Sequence, residues 1–256
     1  MTDSTDASAG VEAASAKEGR WNQFGSEYDL PLFEGTPRTW VMASTGRSGS
    51  HYLGHLLTET GALGAPLEYL HPQHIERWQR RLGVDDLEGV LAYLHAHRTS
   101  PSGWFGIKAH WRNQFVRFVK DPDLLRELAV ERYVSIRRRD RVAQAISMVM
   151  ARQTRAWISF HTAKAEPQYD ADAIRKAITG LDREVETWDA FFADHGVTPL
   201  IVEYEDLQAD PDGTVDRVLS WFDVERRTDA QPHAQQPARQ ANELNDEWKS
   251  RFLAES

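Results

Sequence analysis

Thr39-Trp40-Val41-Met42-Ala43-Ser44-Thr45-Gly46-Arg47-Ser48-Gly49-Ser50-His51 begins as a short, apolar, β-prone run and passes through small residues. It then gives way to Tyr52, Leu53, Leu56 and Leu57 at helical spacing. The pattern reads as strand, tight loop, helix. Small residues let backbone amides converge, the following helix presents its positive end, and Arg47 adds a fixed charge, so the loop meets the requirements of an anion cradle. It is not a Walker A sequence, because no Gly-Lys-Ser/Thr follows at the required spacing. Taken alone, the same residues also read as a glycine-containing turn with no ligand.

Outward from this stretch, Gly61 sits where a helix would end, and helices are expected at about 73–82 and 85–98. Trp104–Lys108 reads as a strand, as does Tyr133–Ile136. Asp140 is a cap for a helix whose face carries Val142, Ala145, Ile146, Val149 and Gln153. Ile174, Ile178, Leu181, Val185, Trp188 and Phe192 recur at steps of three and four, as in a long amphipathic helix. Pro199–Tyr204 is the next strand, and Asp210-Pro211 opens a helix bearing Val215, Val218, Leu219 and Phe222. Strands alternating with helices predict an α/β fold with a mainly parallel sheet flanked by helices. Residues 1 to about 36 are rich in small and acidic residues and are expected to form a disordered tail, leaving 37–256 as a single domain.

The chain has 256 residues, 41% hydrophobic and 27% charged, the make-up of one globular domain. A formal net charge of -9 argues against broad nucleic-acid or anionic-membrane binding. With no cysteine, disulfides, thiolate nucleophiles and cysteine-ligated zinc are excluded. No apolar run approaches the ~20 residues of a membrane span, and the first residues lack the apolar core of a signal peptide, so a cytoplasmic protein is expected. His51 with His55, and His71 with His74, have spacings that could hold a metal, but neither pair has a third ligand in the sequence pattern, and no metal is expected.

Ala43–His51 resembles the 5'-phosphosulfate loop of sulfotransferases that use 3'-phosphoadenosine 5'-phosphosulfate (PAPS), with His51 where a threonine is usual. Ile136-Arg137-Arg138-Arg139-Asp140 through Gln144-Ala145-Ile146-Ser147 resembles their second motif, in which a strand-end arginine and a helical serine hold the 3'-phosphate. Val202–Leu207 with Asp210-Pro211 is similar to the family's late strand and its exit, and Arg239-Gln240-Ala241 through Trp248 to the segment that closes over the nucleotide. Gly64-Ala65-Pro66-Leu67-Glu68-Tyr69, Gln153-Thr154-Arg155-Ala156-Trp157 and Arg239-Gln240-Ala241-Asn242 look most like the bacterial trehalose 2-sulfotransferase family. The resemblance spans roughly residues 38–253. It implies the P-loop-type sulfotransferase fold, PAPS as donor, PAP as product and a small hydroxylated acceptor, and it is compatible with a homodimer.

Carried over residue by residue, the resemblance implies that Thr45, Gly46, Arg47, Ser48, Gly49, Ser50 and His51 hold the 5'-phosphosulfate, with Arg47 also acting in the chemical step. Arg138 with Ser147 would hold the 3'-phosphate, Arg139 being the alternative, and Arg239, Gln240 and Ala241 would close over the nucleotide. Lys108 would stabilise the bridging oxygen and the sulfuryl group. Two residues compete for the general base. Glu68 matches the glutamate of the trehalose family, whereas Lys108-x-His110 resembles the cytosolic sulfotransferase pair, and a histidine is intrinsically poised near neutrality. Residues 69–103 are expected to build the acceptor wall. Two other readings stay open on the residues alone: a non-catalytic nucleotide-binding protein, and a P-loop phosphotransferase, which would need a lysine and a magnesium-binding hydroxyl that the loop lacks.

Overall fold

The computed structural model describes residues 22–157, 163–228 and 243–255. The strands and helices, in chain order, are β1 (Arg38–Ser44), α1 (Ser50–Glu59), α2 (Pro72–Leu82), α3 (Leu87–Arg98), β2 (Trp104–His110), α4 (Val116–Val119), α5 (Pro122–Leu128), β3 (Val130–Arg137), α6 (Arg141–Thr154), α7 (Ala171–Asp194), β4 (Leu200–Glu203), α8 (Tyr204–Ala209), α9 (Pro211–Trp221) and α10 (Glu243–Ala254). Among the described residues the four strands form one parallel sheet in the order β2-β1-β3-β4.

Both faces of this sheet are covered, which is why its central strands are apolar without a polar alternation. Val41, Ala43, Phe105, Ile107 and Tyr133 pack on one face with residues of α2, α3 and α7, among them Trp78, Leu94, Trp188 and Phe192. The intervening residues Trp40, Met42, Trp104, Val134 and Ile136 pack on the other with Leu53 and Leu57 of α1 and Val215 and Leu219 of α9. A third cluster joins α6, α7 and α10 through Ile146, Val149, Ile174, Leu181, Trp248 and Phe252. Trp248, expected in a segment closing over the nucleotide, is therefore a packing anchor at 3% exposure. Lys249 pairs with Asp140, whose other oxygen caps α6, at 2.6 Å.

β2 runs two residues beyond the expected strand, so Lys108 and His110 both lie on it and, two apart, leave the same face. Register places Ser44 opposite His110 on one side and Ile136 on the other. The loop after β1, the end of β2 and the arginines after β3 consequently meet at one edge. Because β2 and β3 flank β1 on opposite sides, the chain leaves β1 at a topological switch point, where open parallel sheets bind ligands.

The expected tail differs from the structure in its second part. Residues 1–21 lie outside the described residues, but Gln23, Phe24 and Tyr28 are 3%, 4% and 6% exposed. Phe24 packs on Trp78 with ring centroids 5.2 Å apart and lies under Arg77. Arg98, with no exposed surface, pairs with Asp29 at 2.9 Å and donates to the Gly25 carbonyl at 2.8 Å. Composition hid this arm because two or three anchors suffice to hold it. Phe24→Ala should lower stability in urea unfolding by about 3 kcal/mol, the cost of a deleted core aromatic, whereas a residue in a loose tail would change it by less than about 0.5 kcal/mol.

Candidate active site

The loop between β1 and α1 is built around Gly49, whose φ of +89° is a glycine conformation. A Cβ there would stand 2.3 Å from the Tyr204 ring, so the close approach also needs glycine. As the N-cap of α1, Gly49 supplies no side-chain bond, leaving the first-turn amides without a side-chain cap. Ser48 is fully buried, and its hydroxyl has no hydrogen-bond partner among the described residues. An uncapped helix start beside an orphaned hydroxyl fits an anion.

The three arginines after β3 have different fates. Arg137 pairs with Asp189 of α7, and Arg139 turns outward to Asp206 at 2.7 Å. Arg138 points back to the loop: it lies 4.7 Å over the Tyr204 ring and donates to the Arg47 carbonyl at 3.5 Å. Between the alternatives left open by the sequence, Arg138 is the one at the loop.

Arg47 is engaged by the protein itself. Its Nε donates to the Ser147 hydroxyl at 2.9 Å and another of its nitrogens to the Trp157 carbonyl, so Arg47, Arg138 and Ser147 form one group instead of two separate anion contacts. Burial first, and the neighbouring Arg138 charge second, bring the Arg47 guanidinium down to about 10. Two cations held this close favour an anion between them. Gln144, fully buried on α6, donates to Thr45 Oγ1 and the Gly46 carbonyl, each at 2.8 Å, and so ties the loop to that helix. The sequence held its signal: Asp140, Gln144 and Ser147 share one helical face.

On the other side of the loop stand Glu68, Lys108 and His110. Gly64, with φ +73° and no room for a Cβ, turns the chain so that Leu67 runs parallel to β2 and accepts a bond from the Lys108 amide at 3.0 Å. Leu67 and Tyr69 are buried, and Tyr69 bonds the Ala65 carbonyl at 2.7 Å, which fixes Glu68 between them. Glu68 Oε1 lies 2.8 Å from Lys108 Nζ and 3.7 Å from His110 Nε2, while Gln114 Nε2 donates to Oε2 at 2.9 Å. His110 Nδ1 faces the Ser44 hydroxyl at 3.0 Å, so both ring nitrogens already have protein partners. Behind the cluster, His74 Nδ1 donates to the Glu68 carbonyl at 2.7 Å, and Gln23 donates to His74 Nε2 at 3.1 Å. Residues 69–103, the expected acceptor wall, thus contribute His74 behind Glu68.

The charges of this cluster set one another. Burial pushes the Glu68 carboxyl up, but Lys108 and then His110 outweigh it and hold it well below its ordinary value. Burial likewise pulls His110 down, and the bond and charge of Glu68 outweigh it and raise the imidazole above its ordinary value. His51, in the first turn of α1, is pushed down to about 3 by burial and then by Lys108. It is therefore a neutral ring between the loop and the cluster. Arg239, Gln240 and Ala241 lie outside the described residues. Among the described residues, no group of three or more histidines and acids could hold a metal ion, and no helix is long and apolar enough to cross a membrane.

The family model described as Stf0 sulphotransferase matches residues 39–255. The trehalose 2-sulfotransferase of Mycobacterium tuberculosis (strain ATCC 35801 / TMC 107 / Erdman) is 28% identical over 259 residues, covering 86% of this chain and 96% of that protein. That of Mycolicibacterium smegmatis (strain ATCC 700084 / mc(2)155) is 29% identical over 257 residues, covering 84% of this chain and 94% of that protein. Among solved structures, a sulfotransferase domain from the curacin biosynthetic pathway covers 81% of this chain and 79% of its own, at a TM-score of 0.46 and 14% identity.

The electrostatics can be read by NMR titration of the histidine rings. His51 should show no inflection across about pH 5–8, and His110 should titrate above the ordinary value of about 6.5. Glu68→Gln removes the main anion that raises His110, so burial and Lys108 are opposed only by the smaller pull of Glu184, and its inflection should fall below that value. An unmoved His110 inflection in that variant would show that Glu68 does not set it.

Proposed function

The chain belongs to the Stf0 sulphotransferase family, and on that premise we propose that it moves the sulfuryl group of PAPS onto a hydroxyl of a small, sugar-class acceptor. The observation that carries the reading is the pairing of Lys108 with Glu68 at 2.8 Å beside an uncapped phosphate-type loop. A cation for the moving group and a carboxylate for the acceptor proton are then side by side. That the two similar mycobacterial proteins are trehalose 2-sulfotransferases supports the choice of a sugar-class acceptor.

In this reading PAPS supplies the sulfuryl group at the loop and leaves as PAP. The loop amides of 45–51 and the Ser48 hydroxyl receive the 5' end, and Arg138 and Ser147 the 3'-phosphate, with Arg47 bonded to Ser147 alongside them. Lys108 meets the charge that develops on the bridging oxygen and the equatorial oxygens, in a site where fixed donors cost no reorganisation. Glu68 is the base. It is the more exposed partner of its ion pair, with 26% of its side chain exposed against 6% for Lys108, so it can reach an acceptor. His110, with Nδ1 on Ser44 and Nε2 toward Glu68 at 3.7 Å, stands beside the carboxylate as its second cationic neighbour. Neutral His51 adds a polar ring, and no further charge, where threonine is usual.

Incubation with labelled PAPS and a panel of sugars beginning with trehalose tests the reading. A sulfated sugar with equimolar PAP, formed without magnesium or ATP, is expected. PAP binding without any sulfated product would make the chain a nucleotide-binding protein, and phosphate transfer from ATP would make it a phosphotransferase.

Arg138→Ala should weaken PAP in calorimetry, while equal wild-type affinity for PAP and adenosine 5'-phosphosulfate would remove the 3'-phosphate assignment. Glu68→Gln should slow single-turnover transfer by about 100-fold or more, the usual range for a lost general base, and His110→Ala should slow it less. Near-normal transfer in Glu68→Gln with loss of transfer in His110→Ala would exchange the two roles.

A further inference from the structure

Between β2 and α4 the chain makes one π-helical turn, Trp111–Phe115, closed by the Val116 amide on the Trp111 carbonyl. Such turns are rare and concentrate at functional sites. This one is pinned by aromatic packing on both sides of Gln114. Trp111 and Phe115 each lie against Trp188 with centroids 4.9 Å apart, and Phe115 also meets Phe191 at 5.3 Å. An α-helical turn holds one residue fewer, and that register would rotate Gln114 by about 100° around the helix axis.

The side chain so placed is 1% exposed, and its Nε2 donates to Glu68 Oε2 at 2.9 Å. The amide cannot be reversed, because its oxygen would then face the carboxylate. In this orientation Oε1 is buried and has no hydrogen-bond partner among the described residues, an unfavourable arrangement for a group that serves only packing. Meanwhile Glu68 Oε1 faces both Lys108 and His110. Among the described residues Oε2 accepts a hydrogen bond from Gln114 alone, and a carboxylate oxygen accepts at two positions.

We propose that Gln114 is a positioning residue for sulfuryl transfer, fixing Glu68 through Oε2 so that this oxygen's remaining acceptor position receives the substrate hydroxyl. The proton passes from the hydroxyl to Oε2 as the acceptor oxygen bonds sulfur and the bridging S–O bond breaks. The inference rests on the reading of Glu68 as the base. Gln114 touches no reacting atom and acts through the geometry and basicity of its neighbour.

The test uses the full chain with Gln114→Leu and Gln114→Met, which keep similar bulk and remove the unpaired oxygen along with the donor, so the loss of the bond to Glu68 is offset and a cooperative melting transition should be kept. Single-turnover transfer from PAPS to the panel sugar that turns over best should fall about 10- to 100-fold, as for a reacting group displaced by a fraction of an ångström to one ångström. PAP affinity should be unchanged. Carbon-13 NMR of the labelled Glu68 carboxyl supplies a readout that needs no acceptor. The groups around Glu68 are Lys108 and His110 on β2, His51 in α1, His74 in α2 and Glu184 of α7 beside His110. All of them remain in the variants, so losing a bond to the ionised form should move the Glu68 inflection to higher pH.

In the Glu68→Gln background, Gln114→Leu should add no further loss of transfer, since the carboxylate through which it acts is gone. Wild-type transfer or an unmoved Glu68 inflection in the folded Gln114 variants, beside an impaired Glu68→Gln, would overturn the role of Gln114 alone. Full transfer by Glu68→Gln would overturn the base assignment itself and the inference with it.

Discussion

Lys108 is an ammonium with 6% of its side chain exposed, placed on a strand whose neighbours are apolar. Such a charge is tolerated only when paired and hydrogen-bonded. Its partner is Glu68, 40 residues earlier in the chain, and the pair forms only if the segment around Leu67 lies along the edge of β2. The Gly64 turn, the Leu67 carbonyl on the Lys108 amide and the two buried neighbours of Glu68 all serve that alignment. Because β2 is registered on β1 through Ser44 and His110, fixing Glu68 against Lys108 also fixes it against the loop that follows Ser44.

The site that results has two electrostatic halves. Toward α6, Arg47 and Arg138 lie together with the Ser147 hydroxyl, so two cations converge in this half. Toward α2, the Lys108 charge is already balanced by Glu68, and His110 is drawn to the same carboxylate. The neutral His51 ring separates the halves. A protonated ring there would add a third cation beside Lys108 and Arg47, and burial together with those same cations keeps it unprotonated.

Most of the sheet was legible because its central segments are buried on both faces and so read as mainly apolar runs, as in Thr39–Ala43 and Tyr133–Ile136. The loop was legible because its chemistry is local: small residues, an arginine and a helix start in sequence. What could not be read depends on packing between distant segments. Nothing local distinguishes Arg137, Arg138 and Arg139. Asp189 on α7 and Asp206 on α8 take two of them and leave the third for the loop. Arg47 was expected at the sulfate end, and its hydrogen bond to Ser147 on α6, 100 residues away, is a contact that the sequence did not foretell. Gln114 gave no signal, since a π-helical turn has no sequence period of its own and a buried glutamine looks like a surface one until its surroundings are known.

The choice between two bases shows how environment overrides intrinsic chemistry. Free histidine is the better-poised base, and on reference values alone His110 would be preferred. In the folded chain, Glu68 raises His110 and engages its Nε2 side, while Ser44 engages Nδ1, so the ring's affinity for a proton increases as its availability to a substrate falls. Glu68 is held low by Lys108 more than by His110, which makes it a weak proton acceptor while that ion pair is intact. An anion that draws on the Lys108 charge weakens the influence that depresses Glu68, and the carboxyl's affinity for a proton rises accordingly. Burial, which by itself pushes Glu68 up, then acts with less opposition. In the proposed reading, the strength of the carboxylate as a base would therefore be tied, through one ammonium, to whether negative charge stands at the loop.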